Sequence, residues 1–145
     1  MNALPDSNIW LALIMEVHEM HEPVKNWFFS IPESGSLYFN RATQQSFLRL
    51  LTTSAVWTPY RSSPLTNSSA WRIYQDLFSR PQIGFLGEEN GVEDQWRRYG
   101  VRTTASPKLW MDAYLAAFAV AADLVLVTTD KAFKKYKGCT VELIG

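Results

Sequence analysis

The sequence predicts an α/β protein, a three-layer α/β/α sandwich with a mainly parallel central sheet. Short apolar runs alternate with segments of helical periodicity, which is typical of parallel strands joined by helices. The run Leu124–Thr128 is almost entirely apolar, as expected of a strand that is covered on both faces. The 145 residues contain neither an internal repeat nor a long linker. We therefore expect a single domain of ordinary size over residues 1–145.

The strands are predicted from short apolar runs that turn residues bound. The first run is interrupted by Pro5 and ends directly before Asp6. Ile83–Leu86 is either a strand or an ordered connection. The other predicted strands are Ala3–Pro5, Leu37–Phe39, Leu124–Thr128 and Thr140–Ile144.

The helices are predicted from apolar residues that recur every three or four positions. Pro23 is tolerated in a first helical turn, and we expect Thr43 to be the N-cap of its helix. Thr58–Ser69 contains two prolines and several hydroxyl side chains, so it is predicted to be a loop, as is Arg102–Pro107. The predicted helices are Asn8–Met15, Pro23–Ser30, Thr43–Thr52, Ala70–Ser79, Gly91–Tyr99, Lys108–Ala122 and the short basic Lys131–Tyr136.

The composition excludes several classes of protein. Hydrophobic residues make up 47% and aromatic residues 14% of the chain, which argues against disorder and against a coiled coil. Fourteen Lys and Arg balance fourteen Asp and Glu, so net charge does not indicate a nucleic-acid partner and only a local basic patch would. The single cysteine, Cys139, supports neither a disulfide framework nor a thiolate zinc site and favours the cytoplasm. We expect no signal peptide and no membrane span.

Two predicted helices carry a polar residue on an apolar face. Asp112 lies on the stripe of Leu115 and Ala116, and Gln44 lies on the stripe of Phe47 and its neighbours Leu48 and Leu51. A carboxylate on the inward face of a helix needs a compensating partner. These two side chains are therefore candidates for a functional site.

Two further carboxylates follow predicted strands. Asp6 comes after the first strand and Asp130 after the run that ends at Thr129. In a parallel sheet the carboxyl ends of the strands meet at one edge, where ligands bind, so we expect Asp6, Gln44, Asp112 and Asp130 to converge there. Carboxylates at ~4–5 Å separation repel each other by a few kcal/mol per pair, and a hard divalent cation, Mg²⁺ or Mn²⁺, would neutralise them.

Each acidic residue also has a purely structural interpretation. Asp6 and Asp130 are both placed to cap the helix that follows. Asp112 lies inside an apolar stripe, where a cap is not expected. Capping and metal ligation are compatible, and it is the combination of the three residues that favours a metal site.

Four segments in this order and spacing resemble the PIN-domain family and, within it, the VapC-type toxins of bacterial toxin–antitoxin pairs. The segments are Leu4–Asn8, Thr43–Arg49, Met111–Ala117 and Thr128–Phe133. The resemblance implies a PIN-like fold and a Mg²⁺- or Mn²⁺-dependent endoribonuclease that a small antitoxin inhibits. The acidic positions of the family fall on Asp6, Asp112 and Asp130. A further position that is commonly Glu falls on Gln44, which contributes no charge to the site.

This interpretation assigns roles to several other side chains. Asn8 and Thr128 are candidates for hydrogen bonds that orient the metal ligands. Arg49, Lys131 and Lys134 are candidates for contacts with the RNA backbone. A surface ion pair explains Arg49 equally well, and a solvated helix face is the slightly favoured interpretation of the two lysines. Six tryptophans exceed the need of a core of this size, so we expect a homodimer and a groove for the antitoxin.

Other functions stay open at this point. The chain is a PIN-fold binding module for RNA or a protein partner if Gln44 makes the metal site too weak for turnover. A response-regulator receiver is disfavoured, because no adjacent acidic pair lies near Asp6. His18 and His21 are three positions apart, whereas a zincin needs histidines four apart.

Overall fold

A computed structural model describes all residues, 1–145, and its centre is one parallel sheet. The strand order is β3-β2-β1-β4-β5, and every neighbouring pair is parallel. The strands are β1 Asn2–Pro5, β2 Ser36–Phe39, β3 Ile83–Phe85, β4 Val125–Thr128 and β5 Val141–Leu143. The parallel sheet that the sequence predicts is confirmed, and Ile83–Leu86 contains a strand.

Helices connect the strands on both faces of the sheet. They are α1 Ser7–Ile14, α2 His21–Ser30, α3 Arg41–Leu51, α4 Ser54–Trp57, α5 Asn67–Leu77, α6 Val92–Gly100 and α7 Leu109–Ala121, with 3₁₀ turns at Thr58–Tyr60 and Lys131–Lys135. None of them combines the length and the apolar character that crossing a bilayer requires.

The alternation of side chains along the central strands creates two separate cores. Ala3 and Val127 pack into a cluster with residues of α1, α2, α3 and α5. Their neighbours Leu4 and Leu126 pack into a second cluster with residues of α6 and α7. Successive side chains of a strand point to opposite faces, so one sheet supports two helical layers. The predicted three-layer α/β/α architecture is confirmed.

Helix α3 begins earlier than the sequence predicts. Its N-cap is Asn40, not Thr43. The Asn40 side chain accepts a hydrogen bond of 2.8 Å from the backbone N–H of Thr43, and the Thr43 hydroxyl accepts one of 3.0 Å from the backbone N–H of Asn40. This reciprocal capping box satisfies two donors that a helix start leaves free. The prediction of Thr43 as N-cap was wrong because Thr43 is the third residue of the helix.

The predicted loop Thr58–Ser69 is only partly irregular. A 3₁₀ turn occupies Thr58–Tyr60, and α5 already begins at Asn67. Thr66 is the N-cap of α5, and its hydroxyl accepts a hydrogen bond from the backbone N–H of Ser69. The hydroxyl residues that suggest a loop therefore include the cap of a helix.

Replacing Asn40 tests the capping box. We expect Asn40→Ala to lower the free energy of unfolding by about 1–2 kcal/mol, because the buried cap acceptor is lost. Urea unfolding measures this change. Asn40→Ser keeps a short acceptor and should recover most of the loss; an equal loss in both variants would assign the effect to the cavity and not to the cap.

Candidate active site

Parallel pairing brings Asp6 and Asp130 to the same edge of the sheet. Pro5 of β1 is in register with Val127 of β4, and the backbone N–H of Asp6 donates a 2.8 Å hydrogen bond to the Val127 carbonyl. Asp112, in the first turn of α7, reaches this edge from the helical layer. All three carboxylates line one cavity of about 530 Å³.

Asp6 is the most buried of the three acidic residues. One carboxylate oxygen accepts a 2.7 Å hydrogen bond from the backbone N–H of Ser7, and the other accepts a 3.1 Å bond from the hydroxyl of Thr128. Burial raises the pKa of Asp6 above its ordinary value, and the charge of Asp130 raises it further, while these hydrogen bonds oppose the shift. Asp6 is also the N-cap of α1.

Thr128 links two of the acidic residues. Its fully buried hydroxyl donates to Asp6 and accepts a 3.0 Å hydrogen bond from the backbone N–H of Asp130. The Asp130 carboxylate in turn accepts a 2.9 Å bond from the backbone N–H of Ala132 and so caps the 3₁₀ turn. Thr128 therefore connects the Asp6 side chain, after β1, to the backbone of Asp130, after β4.

Asp112 is the least compensated carboxylate of the cavity. Burial raises its pKa, and the charges of Asp6 and Asp130 raise it further; only the charge of Lys135 opposes them, and no hydrogen bond contributes. A half-buried carboxylate in the field of two others favours a proton or a cation. The negative charge of Asp112 is thus only weakly compensated by the protein itself.

The donor set fits a hard divalent cation by its chemistry. The side chains are oxygen ligands without Cys or His, which suits Mg²⁺ or Mn²⁺ and not zinc. No three acidic, His or Cys side chains are close enough together to form a complete metal site in this structure. The mutual repulsion of the carboxylates opposes such a cluster, and a bound cation would remove that repulsion.

Gln44 does not belong to this cavity, so the prediction that it converges with the carboxylates was wrong. Its side-chain oxygen accepts a 2.6 Å hydrogen bond from Arg41. Because α3 presents the stripe of Thr43 and Ser46 to the cavity, Gln44 lies on the adjacent stripe, which faces the core. Residues three and four apart share a helix face, whereas sequence neighbours do not.

Ser46 occupies the place in the cavity that the sequence analysis assigns to Gln44. Its hydroxyl donates a 3.0 Å hydrogen bond to the hydroxyl of Ser7, next to Asp6. Ser46 precedes Arg49, a predicted RNA-binding residue, by three positions. Residues at this spacing share a helix face, so the position of Ser46 could have been predicted from the sequence.

The predicted RNA-binding residues separate into two groups. Arg49 lines the cavity, as does the exposed Asn8. Lys131 and Lys134 are exposed on the 3₁₀ turn and do not line it. Lys108, which the sequence analysis missed, lines it one turn before Asp112.

The two histidines and the cysteine lie outside this site. His18 accepts a hydrogen bond from the backbone N–H of Met20, and His21 contacts the Ala12 carbonyl. The two histidines are part of no metal-binding group. Burial raises the pKa of the Cys139 thiol to about 11, so the thiol is protonated and unreactive at neutral pH.

The Thr128 bridge predicts a pH-dependent loss of stability. Thr128→Val removes the hydroxyl at constant shape, and we expect a loss of about 1–3 kcal/mol at pH 7. In the folded protein the pKa of Asp6 is already raised, and the hydrogen bond from Thr128 opposes that shift. The variant loses this bond, so the pKa of Asp6 rises further. Stability is then lost as the pH rises through that pKa, so the deficit of the variant grows from acidic to neutral pH. Urea unfolding across pH measures it, with Thr128→Ser as the control; a deficit that is constant with pH would contradict the coupling to Asp6.

Comparison with known proteins places this geometry in a family. Residues 3–138 match the PIN domain. The chain is 47% identical over 143 residues to Ribonuclease VapC41 of Mycobacterium tuberculosis, with 98% of each chain covered. The fold is similar to that of M. tuberculosis VapC20, a sarcin–ricin loop cleaving toxin (TM-score 0.71, 14% identity, 99% of each chain). It is also similar to VapBC2 of Rickettsia felis bound to a promoter DNA fragment (TM-score 0.70, 12% identity, 100% of each chain). With its acidic cavity at the carboxyl edge of a parallel sheet, the chain belongs to the PIN-domain family and is a homologue of the VapC ribonuclease toxins.

Proposed function

We propose that this protein is a metal-dependent endoribonuclease, the toxin of a toxin–antitoxin pair. The observation that carries the proposal is the single cavity lined by Asp6, Asp112 and Asp130 in a chain that is 47% identical to Ribonuclease VapC41. Its substrate is RNA, which places the activity in the cytoplasm, and its partner is a small antitoxin. The solved VapBC complexes among the similar folds support that partner.

Asp6, Asp112 and Asp130 are the residues that would hold the cation. When bound, Mg²⁺ or Mn²⁺ supplies positive charge that polarises the scissile phosphate and acidifies the attacking water. The protein contributes orientation: Thr128 keeps Asp6 in place, and the backbone N–H groups of Ser7 and Ala132 hold the carboxylates of Asp6 and Asp130. In-line attack on phosphorus with departure of the 3′ oxygen leaves a 5′-phosphate and a 3′-hydroxyl.

Two basic residues of the cavity suit a polyanionic substrate. Arg49 and Lys108 line the same cavity as the carboxylates, and cations at such positions attract backbone phosphates. Asn8 is exposed at its rim and is available for a hydrogen bond to a ligand or to the phosphate. Lys131 and Lys134 would contact RNA only outside the cavity.

Removing one carboxylate tests the reaction. We expect Mg²⁺- or Mn²⁺-stimulated cleavage of single-stranded RNA to fall more than about 100-fold in Asp6→Asn and in Asp112→Asn, because losing a ligand costs at least as much as losing a residue that orients one. Gel analysis of RNA products with and without EDTA measures it. Glu93→Gln, an exposed change on α6, should retain full activity. Cleavage by the Asp variants at the wild-type rate would refute the assigned site.

A second candidate function, a PIN-fold binding module with weak or no turnover, is favoured by one observation. The stripe of α3 that faces the cavity carries Thr43 and Ser46 and no acidic residue, so the α3 wall supplies no negative charge. Three carboxylates bind a divalent cation more weakly than four would.

Adding a carboxylate to α3 separates these two functions. We expect Ser46→Glu to strengthen Mg²⁺ binding about tenfold, and Gln44→Glu to leave it nearly unchanged because residue 44 lies beside Arg41 and not in the cavity. Mg²⁺-dependent shifts in melting temperature measure the affinity. A Mg²⁺ concentration about ten times the Kd raises the melting temperature by about 3–6 °C. A gain in cleavage rate with Ser46→Glu from a near-inactive wild type would favour the binding module, and stronger binding by Gln44→Glu would contradict the placement of Gln44.

A further inference from the structure

One wall of the site cavity consists of aromatic rings on α6 and α7. Trp96, Trp110 and Tyr114 all line the cavity, and we call them the aromatic wall. The ring centroids of Trp96 and Trp110 are 5.9 Å apart at 76°, and those of Trp96 and Tyr114 are 5.6 Å apart at 85°. These edge-to-face contacts are the favoured geometry for aromatic pairs.

The polar atoms of the wall hold two of the rings in place. The Trp96 indole N–H donates a 2.8 Å hydrogen bond to the carbonyl of Trp110, and the Tyr114 hydroxyl donates a 2.6 Å bond to Glu88. Both rings therefore have their hydrogen bonds satisfied inside the protein, and only their apolar faces and edges remain for a ligand.

Trp110 is the open member of the wall. It is 47% exposed, although its side chain is the largest apolar one in proteins and usually gains by burial. One side of the ring lies against α6, where a Cβ atom added to Gly100 would meet it at 3.0 Å. The ring is thus supported by the protein, and Trp110 lines the site cavity as well as a smaller cavity beside Arg102 and Ser106.

The position of Trp110 relates it to the proposed chemistry. It precedes Asp112 by two residues in the first turn of α7, and it shares the cavity with the basic residues Arg49 and Lys108. A nucleotide combines what this cavity offers: a flat base for an aromatic face and a phosphate for a cation. A purely apolar occupant would leave the cations and carboxylates unpaired.

We propose that Trp110, which packs on Trp96 and through it on Tyr114, stacks an unpaired base of the RNA strand next to the scissile phosphate. This inference rests on the proposed ribonuclease function and adds to it a specificity-determining residue. The wall holds a base that is free of pairing, so the preferred RNA is single-stranded at the cleavage position. Base stacking on one aromatic side chain changes affinity by about tenfold or more.

Binding to a non-cleaving protein tests the stacking directly. The probes are a fluorescent, mixed-sequence single-stranded RNA of about a dozen nucleotides and a polyphosphate of similar length, each titrated onto Asp112→Asn. We expect Trp110→Ala in that background to weaken RNA binding about tenfold and to leave polyphosphate binding nearly unchanged. Trp110→Phe keeps an aromatic face and should retain most of the RNA affinity. Phe29→Ala removes an exposed aromatic side chain outside the cavity and should change neither affinity.

The possible results distinguish the inference from the proposed function. RNA affinity that is unchanged in Trp110→Ala, or that falls together with polyphosphate affinity, overturns the stacking role. An unchanged RNA affinity with weaker binding of a protein partner overturns it too and assigns the wall to that partner. If the stacking role is overturned but the wild-type protein cleaves RNA, the proposed ribonuclease function is retained without it. If the wild-type protein neither cleaves nor binds RNA, the ribonuclease function and the stacking role are both refuted. Should Trp110→Ala fail to fold, wild type and Trp110→Phe are each titrated with intact RNA and with RNA that contains abasic nucleotides. Stacking predicts weaker binding of the abasic RNA, and equal affinities for the two RNAs refute it.

Discussion

The repulsion among three carboxylates at one edge of the sheet is the constraint on which the site depends. Parallel strands deliver Asp6 and Asp130 to the same edge, and α7 brings Asp112 to the cavity that they line. Burial is the main cause that raises the pKa values of Asp6 and Asp112, and the charges of the neighbouring carboxylates raise them further. A fold without function would have little reason to place Asp6 and Asp112 here, since both carboxylates would be more stable in full contact with water.

The same residues that bear this cost also help to build the fold. Asp6 caps α1, and Asp130 caps the 3₁₀ turn after β4. Capping and the proposed metal binding are compatible at these residues, as the sequence already indicates, because one carboxylate can serve both roles. A cap accepts hydrogen bonds on one oxygen and leaves lone pairs free toward the cavity.

Much of the fold was predictable because the patterns concerned are local. The apolar run Leu124–Thr128 and the alternation of strands and helices suffice for a parallel three-layer sheet. The start of α3 was not, because the reciprocal bond between Asn40 and Thr43 moves the boundary by a few residues. The placement of Gln44 failed for a different reason: the stripe that it shares with Phe47 and Leu51 faces the core, whereas Thr43 and Ser46 line the cavity. The aromatic wall was also beyond sequence reasoning, because α6 and α7 are adjacent only in the folded chain.

The hydrogen bonds of the three carboxylates are distributed unevenly, and this asymmetry would affect the binding of a cation. Asp6 and Asp130 are anchored to the backbone, while the Asp112 side chain carries no hydrogen bond that shifts its pKa. If the three carboxylates converge on a cation, Asp112 is therefore the one that still has rotamer freedom to lose. Ordering such a side chain costs about 0.5–1.5 kcal/mol. The entropic cost of ordering the carboxylates around a cation would therefore fall mainly on the side chain of Asp112.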